Sequence, residues 1–128
     1  MGSIRKLRVA DDAHQLAIEV YRVTENFPKP ETYGLRAQMR AAAVSVPSNL
    51  AEGVGRNGDG ELCRFAAVAL GSAGELRCQT LIARDLGYLE ATIADELDER
   101  IDKVSAMLAK LTRRVKGDIA AKRIADSG

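Results

Sequence analysis

The chain has 128 residues, of which 46% are hydrophobic and 29% charged, and its formal net charge is +1. This length and composition predict one soluble globular domain over residues 1–128, and they exclude a protein that is basic as a whole. No apolar run approaches the roughly 20 residues that a membrane-spanning helix needs, and no signal-peptide core is present, so we expect a cytoplasmic protein.

The first half of the chain predicts two helices, because its apolar residues recur at helical spacing and never alternate at period two. The first helix is predicted from about residue 9 to residue 27, where two prolines end it. The second begins near residues 30–32 and continues to Ala51. Pro47 falls inside it and is expected to kink or locally unwind it.

The second half predicts two longer helices. The third runs from Gly58 or Asp59 to Leu86, and Gly87 follows as the left-handed residue that ends it. The fourth carries an apolar seam with spacings of three and four residues. The seam residues are Ile93, Leu97, Ile101, Val104, Leu108, Leu111, Val115 and Ile119. The fold predicted from these segments is all-α, an antiparallel up-down-up-down four-helix bundle with basic tails at about residues 1–8 and 116–128.

The run EGVGRNGDGE, which starts at residue 52, contains the letters G-x-G-x-x-G of a dinucleotide-binding loop. That loop needs a strand before its first glycine, whereas the residues before this run have helical periodicity. We therefore interpret the run as a turn. Gly53 is expected to end the second helix in the left-handed conformation, and Asn57, Gly58 or Asp59 to cap the third.

Two sets of polar residues share helix faces that are otherwise small or apolar. They are Ser45, Asn49 and Glu52 on the second helix and Ser72, Glu75 and Gln79 on the third. We interpret them as a hydrogen-bond network that fixes the register of the two helices, with a subunit contact as the alternative. A metal or enzyme site built on Glu52 and Glu75 is disfavoured, because the only histidine, His14, does not complete a Glu-x-x-His motif. No cofactor, metal ligand or catalytic residue is predicted.

The third helix carries small residues on more than one face. They are Ala66, Ala67, Ala69, Gly71, Ser72, Ala73 and Gly74. A monomer needs only one such stripe, so the excess predicts self-association; a central helix in a tight bundle is the alternative. Cys63 and Cys78 would lie about 22 Å apart on this helix, too far to form a disulfide, and we expect both to be buried.

Positive charge is concentrated near the end of the chain. Residues 110–123 contain six basic residues and one acidic residue, a net charge of +5, whereas residues 95–103 have five acids and two bases, a net charge of −3. In an antiparallel bundle the basic N-terminus, with Arg5, Lys6 and Arg8, lies at the same end. Such a patch could bind nucleic-acid phosphates, or it could simply complement a helix dipole. With 4% aromatic residues and no tryptophan, base stacking is not the expected binding mode.

Several segments resemble a known bacterial family. They are ETYGLRAQMR from residue 31, AAAVSVPSNLAEG from residue 41, ALGSAGEL from residue 69, LGYL from residue 86 and the Phe27-Pro28 pair. They resemble the four-helix-bundle proteins encoded in intervening sequences of 23S ribosomal RNA genes, once labelled ribosomal protein S23. The chain is more distantly similar to the accessory variability determinant of diversity-generating retroelements. The resemblance covers about residues 7–115.

The resemblance implies a ring-like homopentamer and, for the retroelement relatives, binding of nucleic acid and of a reverse transcriptase. The chain departs from the family pattern at Ala41, where a second arginine is usual, and at Gly58, where serine often caps the third helix. From the charge pattern and the resemblance together, we expect a non-enzymatic, oligomeric bundle that binds RNA or DNA backbone. A protein-interaction scaffold is the alternative, and an enzyme using Glu52 and Glu75 a weaker one. The candidate phosphate contacts are Arg36, Arg40, Arg56, Arg64, Lys110, Arg113 and Arg114.

Overall fold

A computed structural model describes the backbone of residues 2–127 and the side chains of residues 8–127. Four helices account for most of it: α1 (Gly2–Val23), α2 (Leu35–Gly55), α3 (Asp59–Asp85) and α4 (Ala91–Ser127), with a short 3-10 turn at Lys29–Glu31. Consecutive helices pack against each other and α1 also packs against α4, which closes the bundle. The described residues contain no strand, and the predicted all-α four-helix fold is confirmed. Arg5 and Lys6, from the predicted basic tail, lie outside the described side chains.

The core of the bundle is formed by aliphatic side chains at helical spacing. The largest fully buried ones include Leu16, Val20, Met39, Val46, Leu50, Leu76, Leu97, Ile101 and Leu108. Each stabilises the fold by about 1.5–3 kcal/mol through the removal of apolar surface from water. The predicted seam of α4 is buried from Leu97 to Val115, while Ile93 and Ile119 at its ends are partly buried. None of the described helices is long and apolar enough to span a membrane.

Helix α1 ends at Val23, four residues before the predicted end, because distant groups satisfy its last carbonyls. The guanidinium of Arg40 on α2 donates to the carbonyl of Tyr21 at 3.1 Å and to the hydroxyl of Thr24 at 3.0 Å. Thr24 Oγ1 in turn donates to the carbonyl of Val20 at 2.7 Å. These hydrogen bonds satisfy the carbonyls of Val20 and Tyr21 in the last turn of α1.

Helix α2 begins at Leu35 rather than near residues 30–32, because Glu31 caps it. One carboxylate oxygen of Glu31 accepts from the backbone N–H of Leu35 at 3.1 Å, and the other accepts from the Tyr88 hydroxyl at 3.0 Å. This hydrogen bond to Glu31 is the largest cause of the raised pKa of Tyr88, and desolvation adds to it. The Tyr88 ring also packs against the buried Phe27, with centroids 5.5 Å apart. The connection between α1 and α2 is thereby tied to the loop after α3.

Pro47 does not unwind α2, which remains helical from Leu35 to Gly55. Proline removes the backbone donor that would bond the carbonyl of Ala43, yet the helix continues on both sides of it. The side-chain amide of Asn49 donates to the carbonyl of Ser45 at 2.8 Å, which adds a hydrogen bond to the same stretch of helix. The expected local unwinding is therefore wrong.

Gly53 does not end α2, as the sequence predicted, since the helix continues to Gly55. It is buried, and a Cβ placed on it would lie 2.9 Å from Cβ of Phe65 on α3. Gly53 therefore serves close helix packing rather than a left-handed turn. Among the described residues, the glycines with positive φ are Gly58, at the start of α3 with φ +109°, and Gly87, after its end with φ +79°. Gly87 follows α3 as predicted, and Gly58 is the cap among the three candidates Asn57, Gly58 and Asp59.

Candidate nucleic-acid interface

The structure brings together three of the six polar residues predicted to form a network between α2 and α3. Ser45 Oγ lies 2.8 Å from Ser72 Oγ, which joins the two helices. Asn49 donates to Ser45 Oγ at 2.9 Å as well as to the Ser45 carbonyl. All three side chains are partly buried, so this small cluster fixes the register of α2 against α3.

Glu52 and Glu75 do not join that network, and they do not form a paired-carboxylate site. Because Ser45 faces Ser72 in an antiparallel pair, the two glutamates lie on opposite sides of this contact, about 15 Å apart along the helix axis. Glu52 instead accepts from Arg56, the residue that follows α2, at 2.9 and 3.0 Å. Glu75 is exposed on the outer side of α3.

The remaining polar and thiol groups of the described residues do not cluster as metal ligands. Gln79 is buried in the core, and the described residues give its side-chain oxygen no hydrogen-bond partner. Asp11 precedes His14 by three residues, but both side chains are exposed, and no cluster of three metal-ligating groups occurs among the described residues. Cys63 is partly buried, whereas Cys78 is exposed, so the prediction that both are buried is wrong for Cys78.

Arg36 and Arg40, predicted as phosphate contacts, are engaged in contacts that hold the end of α1. Both pair with Glu25, at 3.6 and 3.1 Å, and their side chains are only 23% and 17% exposed. The Arg40 guanidinium also lies 4.5 Å from the centre of the Tyr21 ring. The structure therefore gives Arg40 a structural role, because it could not reach a phosphate without breaking these contacts.

Arg56 and Arg64 both lie against the ring of Phe65, at 5.5 and 4.4 Å from its centre. Each also pairs with a glutamate nearby in the sequence, Arg56 with Glu52 at 2.9 Å and Arg64 with Glu61 at 3.0 Å. The hydrogen bond from Arg64 is the main reason why the pKa of Glu61 is lowered. Exposed pairs of this kind contribute only about 0–1 kcal/mol, so a phosphate could replace either carboxylate.

Lys110 and Arg114 meet Arg8 of α1 in one groove. We call these three residues the α1–α4 basic surface. Four further cations of α4, Arg113, Lys116, Lys122 and Arg123, point to other sides of the helix, and Lys122 and Arg123 line a separate groove with Asp59 and Asp126. All seven are exposed, and none has a described carboxylate within 4.0 Å. Most cations elsewhere are paired, among them Arg22 with Glu19 and Arg77 with Asp98. Apart from the seven cations named above, the described lysines and arginines without such a partner are Lys29 and Arg100.

The sequence model of one family, described as 23S rRNA-intervening sequence protein, matches residues 5–110. The chain belongs to that family. A solved structure from Bacteroides thetaiotaomicron, a protein of unknown function from the S23 ribosomal protein family, is similar with a TM-score of 0.77. The match covers 85% of this chain and 98% of that chain at 13% identity, so it supports the fold alone. No curated protein matches the sequence significantly.

In this member of the 23S rRNA-intervening sequence protein family, the basic surface extends beyond the matched segment. The family match ends at Lys110, and the cations from Arg113 to Arg123 follow it on the same helix. Arg8 faces Lys110 and Arg114 across the junction of α1 and α4, where these three residues line one groove. The charge pattern identified Lys110, Arg113 and Arg114 from the sequence. The position of Arg8 beside Lys110 and Arg114 depends instead on how α1 packs against α4.

The protein also exposes two apolar surfaces on different sides of the bundle. The first, the α1–α2 groove, has a volume of about 410 Å³, and its apolar lining includes Ile18, Tyr21, Val44, Pro47 and Ala51. The second, the α3 face, is formed by Ala67, Val68, Gly71, Gly74, Cys78, Leu81 and Ile82, all exposed. The small residues of α3 therefore divide into a buried set in the core and an exposed set on this face.

Proposed function

We propose that this protein is a non-enzymatic, oligomeric bundle of the cytoplasm that binds RNA or DNA backbone through the α1–α4 basic surface. The observation that carries this proposal is the contrast in pairing: most cations between residues 22 and 103 have carboxylate partners, whereas Arg8, Lys110 and Arg114 have none among the described residues. Unneutralised cations on one surface attract polyanions and gain free energy by displacing their counterions.

The helix dipole does not account for the centre of this surface. Favourable interaction between cations and a helix C-terminus is confined to about the last turn. Helix α4 ends at Ser127, so Lys110 and Arg114 lie about three turns or more before that end. Only Asp118 offsets the positive charge between residues 110 and 123. A phosphate ligand explains this arrangement better than intrahelical electrostatics.

A matched pair of double variants tests the proposal. We expect Lys110→Ala with Arg114→Ala to weaken binding of labelled structured RNA and duplex DNA by about tenfold at low salt. The salt dependence of duplex binding should fall by about 1.8 in log–log slope, which corresponds to two lost phosphate contacts. Fluorescence anisotropy at a series of salt concentrations measures both.

The control for this test is Arg22→Ala with Arg84→Ala, which removes the same charge from exposed, locally paired arginines. This control should bind nearly as well as the wild-type protein. Equal losses in both double variants would show that only net charge matters. A wild-type protein that binds neither nucleic acid at low salt would overturn the proposal and favour a protein-interaction scaffold.

We propose in addition that copies assemble head to tail, with the α3 face of one protomer against the α1–α2 groove of the next. Two different apolar faces on one protomer suit a heterologous contact, which closes into a ring, better than a twofold dimer. Five copies is the number that the family resemblance implies. A ring would place several basic surfaces on one particle. The reverse transcriptase implied for the retroelement relatives stays a prediction.

Gly71→Gln tests this assembly because a Cβ on Gly71 meets no atom within 4 Å. The protomer should therefore fold and gain helix propensity, while the added side chain obstructs the proposed contact. Light scattering should give a mass near five times 13.8 kDa for the wild-type protein and one protomer for the variant. Gly117→Gln, at an equally open position of α4, should leave the oligomer intact. A monomeric wild-type protein would refute the assembly.

A further inference from the structure

The groove between α1 and α4 combines positive charge with an apolar floor. Val9 and Leu111 form the floor and are almost fully buried. Met107 lines one wall of the groove, and its side chain is partly buried. Arg8 stands on one side of the groove and Lys110 and Arg114 on the other. The groove has a volume of about 270 Å³, slightly below the range of about 300–1,000 Å³ that is usual for small-ligand sites.

The three cations around this groove create a site that favours an anion. Lys110 and Arg114 are four residues apart on α4, so they are neighbours on one face and repel each other. No described carboxylate lies within 4.0 Å of either, and the sequence before Arg8 contains no acidic residue. An anion bound between the two helices would relieve this repulsion and contact charges from both.

The apolar floor indicates which kind of anion fits. A nucleic-acid duplex presents phosphates and sugars at its surface and keeps its bases stacked inside, so it offers nothing apolar to a narrow groove. An unpaired nucleotide can turn its base outward and present a flat apolar face beside its phosphate. A methionine thioether makes favourable contacts with aromatic rings, and Met107 lies beside Lys110 and Arg114 in the groove.

We propose that the α1–α4 groove binds one unpaired nucleotide, with its base against Met107 and its phosphates among Arg8, Lys110 and Arg114. This inference rests on the proposed nucleic-acid function and adds to it a preference for single-stranded segments over uninterrupted duplex. The contact is aliphatic rather than aromatic, which agrees with the low aromatic content of the chain. RNA and DNA share the chemistry that the groove recognises.

The test compares labelled single-stranded RNA, single-stranded DNA and a blunt duplex of the same length by anisotropy at low salt. Met107→Ala should weaken single-strand binding by about two- to tenfold and leave duplex binding unchanged. Met107→Leu retains the apolar wall and should lose less single-strand affinity than Met107→Ala. Leu86→Ala, at an exposed residue outside the α3 face and both grooves, controls for the loss of surface aliphatic area and should change neither affinity. Thermal melting by circular dichroism establishes that each variant is folded.

A second readout is independent of affinity. Single-stranded RNA that contains 4-thiouridine should photo-crosslink to a peptide that includes Met107, and free mononucleotide in excess should suppress the crosslink. If duplex and single strand lose affinity equally in Met107→Ala, or if neither changes, this inference is overturned while the proposed function stands. If no nucleic acid binds at low salt, the proposed function itself has failed. Competition by an acidic helical peptide but not by mononucleotide would overturn the nucleotide assignment.

Discussion

Replacing Arg40 by alanine should lower the free energy of unfolding by about 2–3 kcal/mol, the range expected when charge-assisted hydrogen bonds to a partly buried site are lost. The guanidinium donates to the Tyr21 carbonyl, the Thr24 hydroxyl and the Glu25 carboxylate at 3.0–3.1 Å. Alanine would leave these acceptors without their donor at a point where the side chain is 17% exposed. Urea unfolding monitored by far-UV circular dichroism measures the loss.

Arg36→Ala is the matched control for this substitution. Arg36 lies one turn away on the same helix and contacts the same carboxylate of Glu25, but only through an ion pair of 3.6 Å. Its removal should cost about 0–1 kcal/mol. Arg40→Lys should fall between the two, because lysine keeps the charge but cannot donate in the planar, forked geometry of a guanidinium. Similar losses for Arg36→Ala and Arg40→Ala would contradict the capping role.

Arg40 also illustrates which parts of the fold the sequence could predict. Apolar spacing places the four helices and the buried seam from Leu97 to Val115, because that pattern is local and repeats over many residues. Helix ends depend on partners far away in the chain. Arg40 caps a helix that ended seventeen residues earlier, and Glu31 receives the Tyr88 hydroxyl from the loop after α3. No local sequence pattern predicts either contact.

The candidate site, like the fold, could be predicted only in part from the sequence. Net charge by segment identifies Lys110, Arg113 and Arg114, because a run of cations with a single acidic residue can be read directly from the sequence. Whether an arginine has a partner is a tertiary property. Arg36 and Arg40 were indistinguishable from them in sequence, yet both reach Glu25 in the turn after α1. The contact between Ser45 and Ser72 is tertiary too, and the register in which these residues meet separates Glu52 from Glu75.

Gly53→Val should destabilise the bundle by about 2–3 kcal/mol, as expected for overpacking at a closely packed contact. The first added carbon would lie 2.9 Å from Cβ of Phe65 and 3.4 Å from Cα of Leu62. Neither atom is the end of a flexible side chain, so relief requires α2 and α3 to move apart. Because the guanidinium groups of Arg56 and Arg64 lie against the Phe65 ring, this movement would also disturb the corner between the two helices.

Gly55→Val provides the comparison that separates packing from backbone effects. Gly55 is two residues further along α2, and a Cβ there meets no atom within 4 Å. It is helical, and no positive φ occurs at Gly53 or Gly55, so valine is not excluded by backbone conformation at either site. We expect Gly55→Val to be near neutral, since the small gain in helix propensity is not opposed by a clash. Chemical denaturation of the two variants at equal protein concentration measures the difference. Equal changes in the free energy of unfolding for the two variants would contradict this interpretation. They would mean that α2 and α3 can move apart at Gly53 at little cost, so that glycine is not required there.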